Sequence, residues 1–173
     1  VYREAKVIKS TTNKEHNYLT IDRGTQGGVK ENMIAIDQHG GVVGLVTAAT
    51  NNFATILPII NTSFRLSSKL KKTNFRGQLV WDAIFDDEAE LIDIPEHATV
   101  NQGDSVVTSG SSDFFPEGLY VGTISKVNMD RNGGFYDLTV KLAVDFASVY
   151  DVYIVEDLLA KEQQELESGN NQE

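Results

Sequence analysis

The chain has 173 residues, 40% of them apolar, enough for one medium domain or two small ones with a buried core. It carries 25 acidic against 15 basic side chains, a net charge of −10, which repels phosphate backbones and argues against generic nucleic-acid binding. The absence of cysteine excludes disulfides, thiolate chemistry and Cys-based zinc sites, and no apolar run reaches the ~18 residues of a membrane span.

Gly, Asn, Thr and Ser punctuate the sequence at the spacing of short strands in a barrel or sandwich. Strands are predicted at residues 6–8, 18–21, 33–36, 42–46 and 55–60. Phe64, Leu66 and Leu70 then alternate with Arg65, Ser67 and Lys69, a half-buried strand with the basic residues outward. The acidic stretch 81–96, with Trp81 in the core, reads as a join between two units. Further strands follow at 106–107, 119–124, 136–142 and 152–155. In the third of these, Tyr136, Leu138, Val140 and Leu142 alternate with Asp137, Thr139 and Lys141. Residues 157–167 read as the one helix, and 168–171 as a frayed tail.

Residues 27–50 and 101–127 share an order: Gly turn, apolar strand, Gly-containing loop, then a strand holding a glycine. Gly41 and Gly44 would match Gly118 and Gly122, and a glycine inside a strand marks a bulge or a tight barrel bend. The expected fold is therefore all-β. Two small six-stranded-type β-barrels pack side by side, with a short C-terminal helix or tail. The expected units are residues 1–85, 86–157 (strand exchange between the two being allowed) and 158–173, a short helix and disordered acidic tail.

Gly103-Asp104-Ser105 is the tripeptide that carries the nucleophile in trypsin-like proteases, and His39, Asp86 and Ser105 follow the triad order of that class. The surroundings disagree. Ser105 precedes Val106-Val107, β-branched residues that favour a strand over an oxyanion-hole loop, and His39 sits in a hairpin turn. Residues 128–133 mimic the start of an EF-hand loop, but the twelfth position is Thr139, so a Gly-rich hairpin explains them better. His16, His39 and His97 have no partner at metal-ligand spacing, and no phosphate-binding glycine loop is present. The residues point to no catalytic, cofactor or metal site, and to an interaction module.

The stretches "GDSVVTSG" and "FFPEGLYVGTISKV" resemble the signature of the rod shape-determining protein MreC family. "LTIDRGTQGGVKENMIAID", "GGVVGLVTAAT", "ATILPIINTSFRLSSKL" and "RGQLVW" follow in the family's order, so the likeness spans residues 4–156. The resemblance implies a double β-barrel on the extracytoplasmic side of the bacterial inner membrane, anchored by an N-terminal membrane helix and a coiled coil that would precede Val1. It implies a non-enzymatic scaffold of lateral wall synthesis that self-associates. Its implied partners are MreD, MreB, RodA and the elongation-specific class B penicillin-binding protein. The structural signature maps onto Gly103, Asp104, Thr108, Ser109, Gly110, Gly118 and Gly122.

Phe114, Phe115 and Pro116 are the candidate partner contact, with Phe115 also a candidate barrel plug and Phe114, a second aromatic before the family's Phe-Pro, its rim. The basic run Arg65, Lys69, Lys71, Lys72 and Arg76 precedes an acidic one from Asp82 to Glu96. These read as solvated strand faces, or as opposite surfaces that attract a neighbour head to tail. A chymotrypsin-like serine hydrolase and a peptidoglycan-binding module are the competing functions. One tryptophan and scattered tyrosines give the latter little of a sugar-stacking platform.

Overall fold

The computed structural model of the protein describes residues 2–12, 15–111, 114–129, 133–156 and 159–171. The chain begins with β1 (Tyr2–Ser10), β2 (Leu19–Ile21), β3 (Ile34–Asp37), β4 (Val42–Ala49) and β5 (Ala54–Pro58). It continues through β6 (Arg65–Leu70), β7 (Arg76–Val80), β8 (Glu88–Pro95), β9 (Ser105–Thr108), β10 (Tyr120–Met129) and β11 (Phe135–Leu142). β12 (Asp151–Val155) and the helix α1 (Ala160–Asn170) follow.

The strands close into two antiparallel barrels, ordered β1-β12-β3-β4-β5-β2 and β10-β11-β8-β7-β6-β9. Closure pairs every edge strand, which removes the unsatisfied N–H and C=O groups an open sheet would present. The two rings have the same neighbour relations if β1 is matched to β7, β2 to β8, β3 to β9, β4 to β10, β5 to β11 and β12 to β6. The first barrel is thus a circular permutation of the second. The strand that opens the second barrel in sequence is supplied to the first by the distant β12, which fills the gap between β1 and β3.

The internal repeat has a physical basis at two glycines. A Cβ on Gly44 would lie 2.1 Å from the Leu57 carbonyl oxygen, and one on Gly122 would lie 2.2 Å from that of Lys141. Strands β4 and β5, and likewise β10 and β11, therefore approach more closely than any side chain allows. Three residues beyond each glycine the register slips, between Val46 and Ala48 of β4 against β5 and between Ile124 and Lys126 of β10 against β11. The same glycine-and-bulge device bends both barrels.

Each barrel is filled by the inward half of its alternating strands. Leu19, Ile21, Ile34, Ile56 and Ile154 are fully buried in the first, and Leu66, Leu70, Leu91, Ile94, Ile124 and Leu138 in the second. Two covalent segments cross between the barrels. One, residues 59–64, contributes buried Ile59, Ile60 and Phe64; the other, 143–150, contributes Val144 and Phe146. These residues join both interiors into a single apolar cluster. The interface is also joined by backbone, with Gly41 in the β3–β4 turn of the first barrel bridging to Tyr120 at the start of β10 in the second.

Four expectations need revision. The division at residues 85 and 86 falls inside the second barrel, between β7 and β8; the change of barrel lies between β5 and β6, and β12 returns to the first. The acidic stretch that read as a join contains β8. Its acids alternate with buried Ala89 and Leu91, and the pattern then breaks because Asp93 adopts a left-handed conformation (φ 68°) before buried Ile94. Lys69, expected on a solvated face, is 8% exposed. The helix runs Ala160–Asn170, so residues 168–170 belong to it, while 157 and 158 lie outside the described residues.

A candidate partner-contact loop

The signature stretch 103–122 takes in β9 and the start of β10, and the loop between these strands is organised around one hydroxyl. Thr108 ends β9 fully buried. Its Oγ1 donates to the Pro116 carbonyl at 2.6 Å and accepts from the Leu119 N–H at 2.9 Å. Its backbone N–H donates to the Leu119 carbonyl, and its carbonyl accepts from the Gly118 N–H. A buried threonine with every polar group paired fixes the loop's entry and exit together. Gly110 (φ 75°) and Gly118 (φ 92°) take the left-handed turns that reverse the chain on either side. At Gly110 a side chain would also strike Glu117, its Cβ lying 2.9 Å from that of Glu117.

The turn before β9 is fixed in the same way. Asp104 Oδ2 accepts from the Asn101 N–H at 2.9 Å, and Gly103 turns with φ 94°. Ser109 extends the sheet, its N–H donating to the Ser67 carbonyl at 3.0 Å, and its Oγ accepts from the Ser111 N–H. The signature residues thus act as turn and sheet joints.

The loop is latched to the barrel wall by charge. Lys69 of β6 pairs with the Glu117 carboxylate and donates to Asn74 Oδ1 at 2.8 Å. Arg76 of β7 reaches Ser111 Oγ at 3.2 Å. Sequence reasoning missed this latch because its partners are 48 and 35 residues apart and Lys69 fits an outward strand position. The Lys69 hydrogen bond, then its charge, hold the Glu117 carboxyl below the usual carboxylate range. A depressed carboxyl pKa contributes stability that is present above the unfolded-state value, about 4.3, and lost as pH falls through the folded value. Thermal melts below about pH 4.3 should therefore fall more steeply for wild type than for Glu117→Gln. Parallel curves would mean the pair contributes nothing.

The three expected contact residues separate. Phe115 is 4% exposed and packs edge-on against Phe64, ring centroids 6.1 Å apart, at the junction of the two barrels. It is a core residue with no surface to offer, and the contact expected of it is withdrawn. Phe114 is partly buried against the same cluster, and Pro116 is partly exposed at the loop's crest. A groove of about 580 Å³ separates this crest from α1, lined by Arg76, Ser111, Pro116, Leu159 and Gln163 among others.

The residues of the protease-like order do not converge. Ser105 opens β9 opposite Thr123. His39 lies in the β3–β4 turn of the other barrel, its N–H on Asp37 Oδ1 at 3.0 Å and its ring beside Gln38. Asp86 is an exposed residue of the β7–β8 turn. Among the described residues no group of His, Asp and Glu has metal-binding geometry. His16 is exposed, and His97, also exposed, stacks edge-on against Phe75. In the EF-hand-like stretch, Asp130, Arg131 and Asn132 lie outside the described residues; Gly133 and Gly134 take left-handed turns between β10 and β11.

A family model described as the barrel core of rod shape-determining protein MreC matches residues 7–156. The chain belongs to the MreC family. The cell shape-determining protein MreC of Listeria monocytogenes is 29% identical over 157 residues, covering 87% of this chain and 52% of that protein. The chain spans about half the length of the curated MreC relatives it matches. A solved MreC structure from Listeria monocytogenes superposes with a TM-score of 0.81 at 29% identity, over 90% of this chain and 75% of that one. The MreC fold also recurs in a solved complex between a penicillin-binding protein (PBP2) and MreC from Helicobacter pylori, at TM-score 0.67 and 16% identity, covering 91% of this chain and 99% of that one. No helix among the described residues is long and apolar enough to cross a membrane.

Proposed function

We propose that this chain is a non-enzymatic scaffold module of the bacterial lateral wall-elongation machinery, working on the extracytoplasmic side of the inner membrane and anchored by a segment upstream of Val1. The observation that carries this reading is the match of the whole barrel pair, residues 7–156, to the MreC barrel core. The PBP2–MreC complex of the Helicobacter relative supports the elongation-specific class B penicillin-binding protein as a partner; in this reading MreD, MreB, RodA and further copies of the chain complete the set. Both sheets are closed, so partners join through side chains and loops and not by adding a strand. In the contact loop, Pro116 and the exposed part of Phe114 are the residues left for a partner once Phe115 is assigned to the core.

The test is titration of this chain with the purified ectodomain of an elongation-specific class B penicillin-binding protein, followed by calorimetry. A saturable one-site isotherm is expected, alongside no labelling of Ser105 by a fluorophosphonate probe. Heats of dilution alone would reject the partnership, and labelling of Ser105 would revive a hydrolase.

A further inference from the structure

The β7–β8 turn holds two large apolar side chains in solvent. Ile84 is 69% exposed and Phe85 57%. Ordinary turns are polar, and adjacent exposed residues of this size mark interaction sites. The turn is also built to hold them there. The buried Trp81 donates its indole N–H to the Phe85 carbonyl at 2.6 Å, Asp82 Oδ1 accepts from the Ile84 N–H at 3.1 Å, and the Asp87 carbonyl accepts from the Leu142 N–H at 2.8 Å. Between them Ala83 sits at φ 65°, a left-handed conformation that costs an alanine energy and that here turns the next two side chains outward.

The surroundings specify the chemistry of what would cover this knob. Asp82, Asp86 and Asp87 are exposed on the same turn, and Glu88 and Glu90 border a notch of about 180 Å³ that Ile84 and Phe85 also line. The carboxylates crowd one another: burial first, then Asp137 and Asp82, hold the Glu90 carboxyl above the usual range. Lys141 of β11 is the cross-strand neighbour of Glu88, and the remaining rim is carboxylate, so an apolar anchor beside a net acidic rim complements an apolar face flanked by cations.

We propose that the Ile84–Phe85 knob is a preformed docking site for a basic amphipathic segment of a partner protein. Ile84 and Phe85 bury against the segment's apolar face, while its Lys or Arg side chains meet Asp82, Glu88 and Glu90. The inference rests on the scaffold reading for the existence of a protein partner, but it names a different surface from the loop at 103–122.

Trp81 is the only tryptophan and touches the knob's backbone, so its fluorescence reports occupancy. The probes are amphipathic helical peptides of leucine with lysine, of leucine with glutamate, and of serine with lysine. The leucine–lysine peptide should shift Trp81 emission saturably, and the other two should not. Ile84→Ser/Phe85→Ser removes only exposed side chains and should weaken binding by about tenfold or more. Equal binding by that variant, equal binding of the serine–lysine peptide, or no binding by wild type overturns the proposal. Sedimentation of both forms adds one further outcome: a wild-type dimer lost in the variant would make a second copy the occupant and overturn it as well. A chain that binds the penicillin-binding protein but ignores the leucine–lysine peptide would lose this inference alone.

Discussion

Phe115→Ala is expected to cost about 3–5 kcal/mol, the range for truncating a fully packed aromatic ring. Phe115 contributes to the one cluster that spans both barrels, and its edge-on contact with Phe64 ties the signature loop to the segment linking β5 and β6. Removing the ring leaves a cavity in the buried cluster next to Phe64. The loop above it is held by Thr108 and by the Lys69–Glu117 pair, so it cannot easily sink to fill the space. For a domain of this size the loss corresponds to a fall in Tm of roughly 6–20 °C. A melt within about 2 °C of wild type would show that the ring is not packed as described.

Gly122→Ala should be comparably damaging although it adds a single methyl group. The collision is with main chain: the new Cβ would lie 2.2 Å from the Lys141 carbonyl oxygen and 3.0 Å from its carbonyl carbon. Neither atom is the end of a flexible side chain. Strand β10 must move away from β11, loosening the ladder that carries the bulge at Ile124–Lys126. Overpacking of this kind costs about 3 kcal/mol. Gly44→Ala should behave alike in the first barrel, where the obstacle is the Leu57 carbonyl. Chemical denaturation of both variants is the check; midpoints equal to wild type would mean that the close approach is dispensable. Neither glycine requires a positive φ, so the constraint is space alone.

Much of this architecture could be read from residue order. Alternation marked the strands whose faces are cleanly in or out, such as β11, and the two spaced glycines exposed the internal repeat. What escaped was long-range or locally irregular. β8 was hidden by its acids and by the left-handed Asp93, which breaks a period-two pattern. Lys69 looked solvated because nothing in its neighbourhood announces that Glu117 folds over it. Phe115 could be called a plug from the sequence, but its neighbour Phe64 on the inter-barrel segment could not. The knob at Ile84 and Phe85 read only as part of a charged stretch, because exposure of apolar residues is a property of the turn and its Trp81 clamp.

The permuted connection of the first barrel sets an order of events during synthesis. Strands β1 to β5 leave the ribosome first, yet their cylinder has a slot between β1 and β3 that only residues 151–155 fit. The second barrel has its six strands contiguous from Arg65 to Leu142 and can close while that slot is still open. Of the two barrels, the one whose strands are made first is therefore finished last, and in the interval it presents two bare strand edges to other nascent chains. A late stop codon or a cut before Asp151 would remove little mass from the polypeptide but would leave the N-terminal half permanently in this unfinished, aggregation-exposed condition.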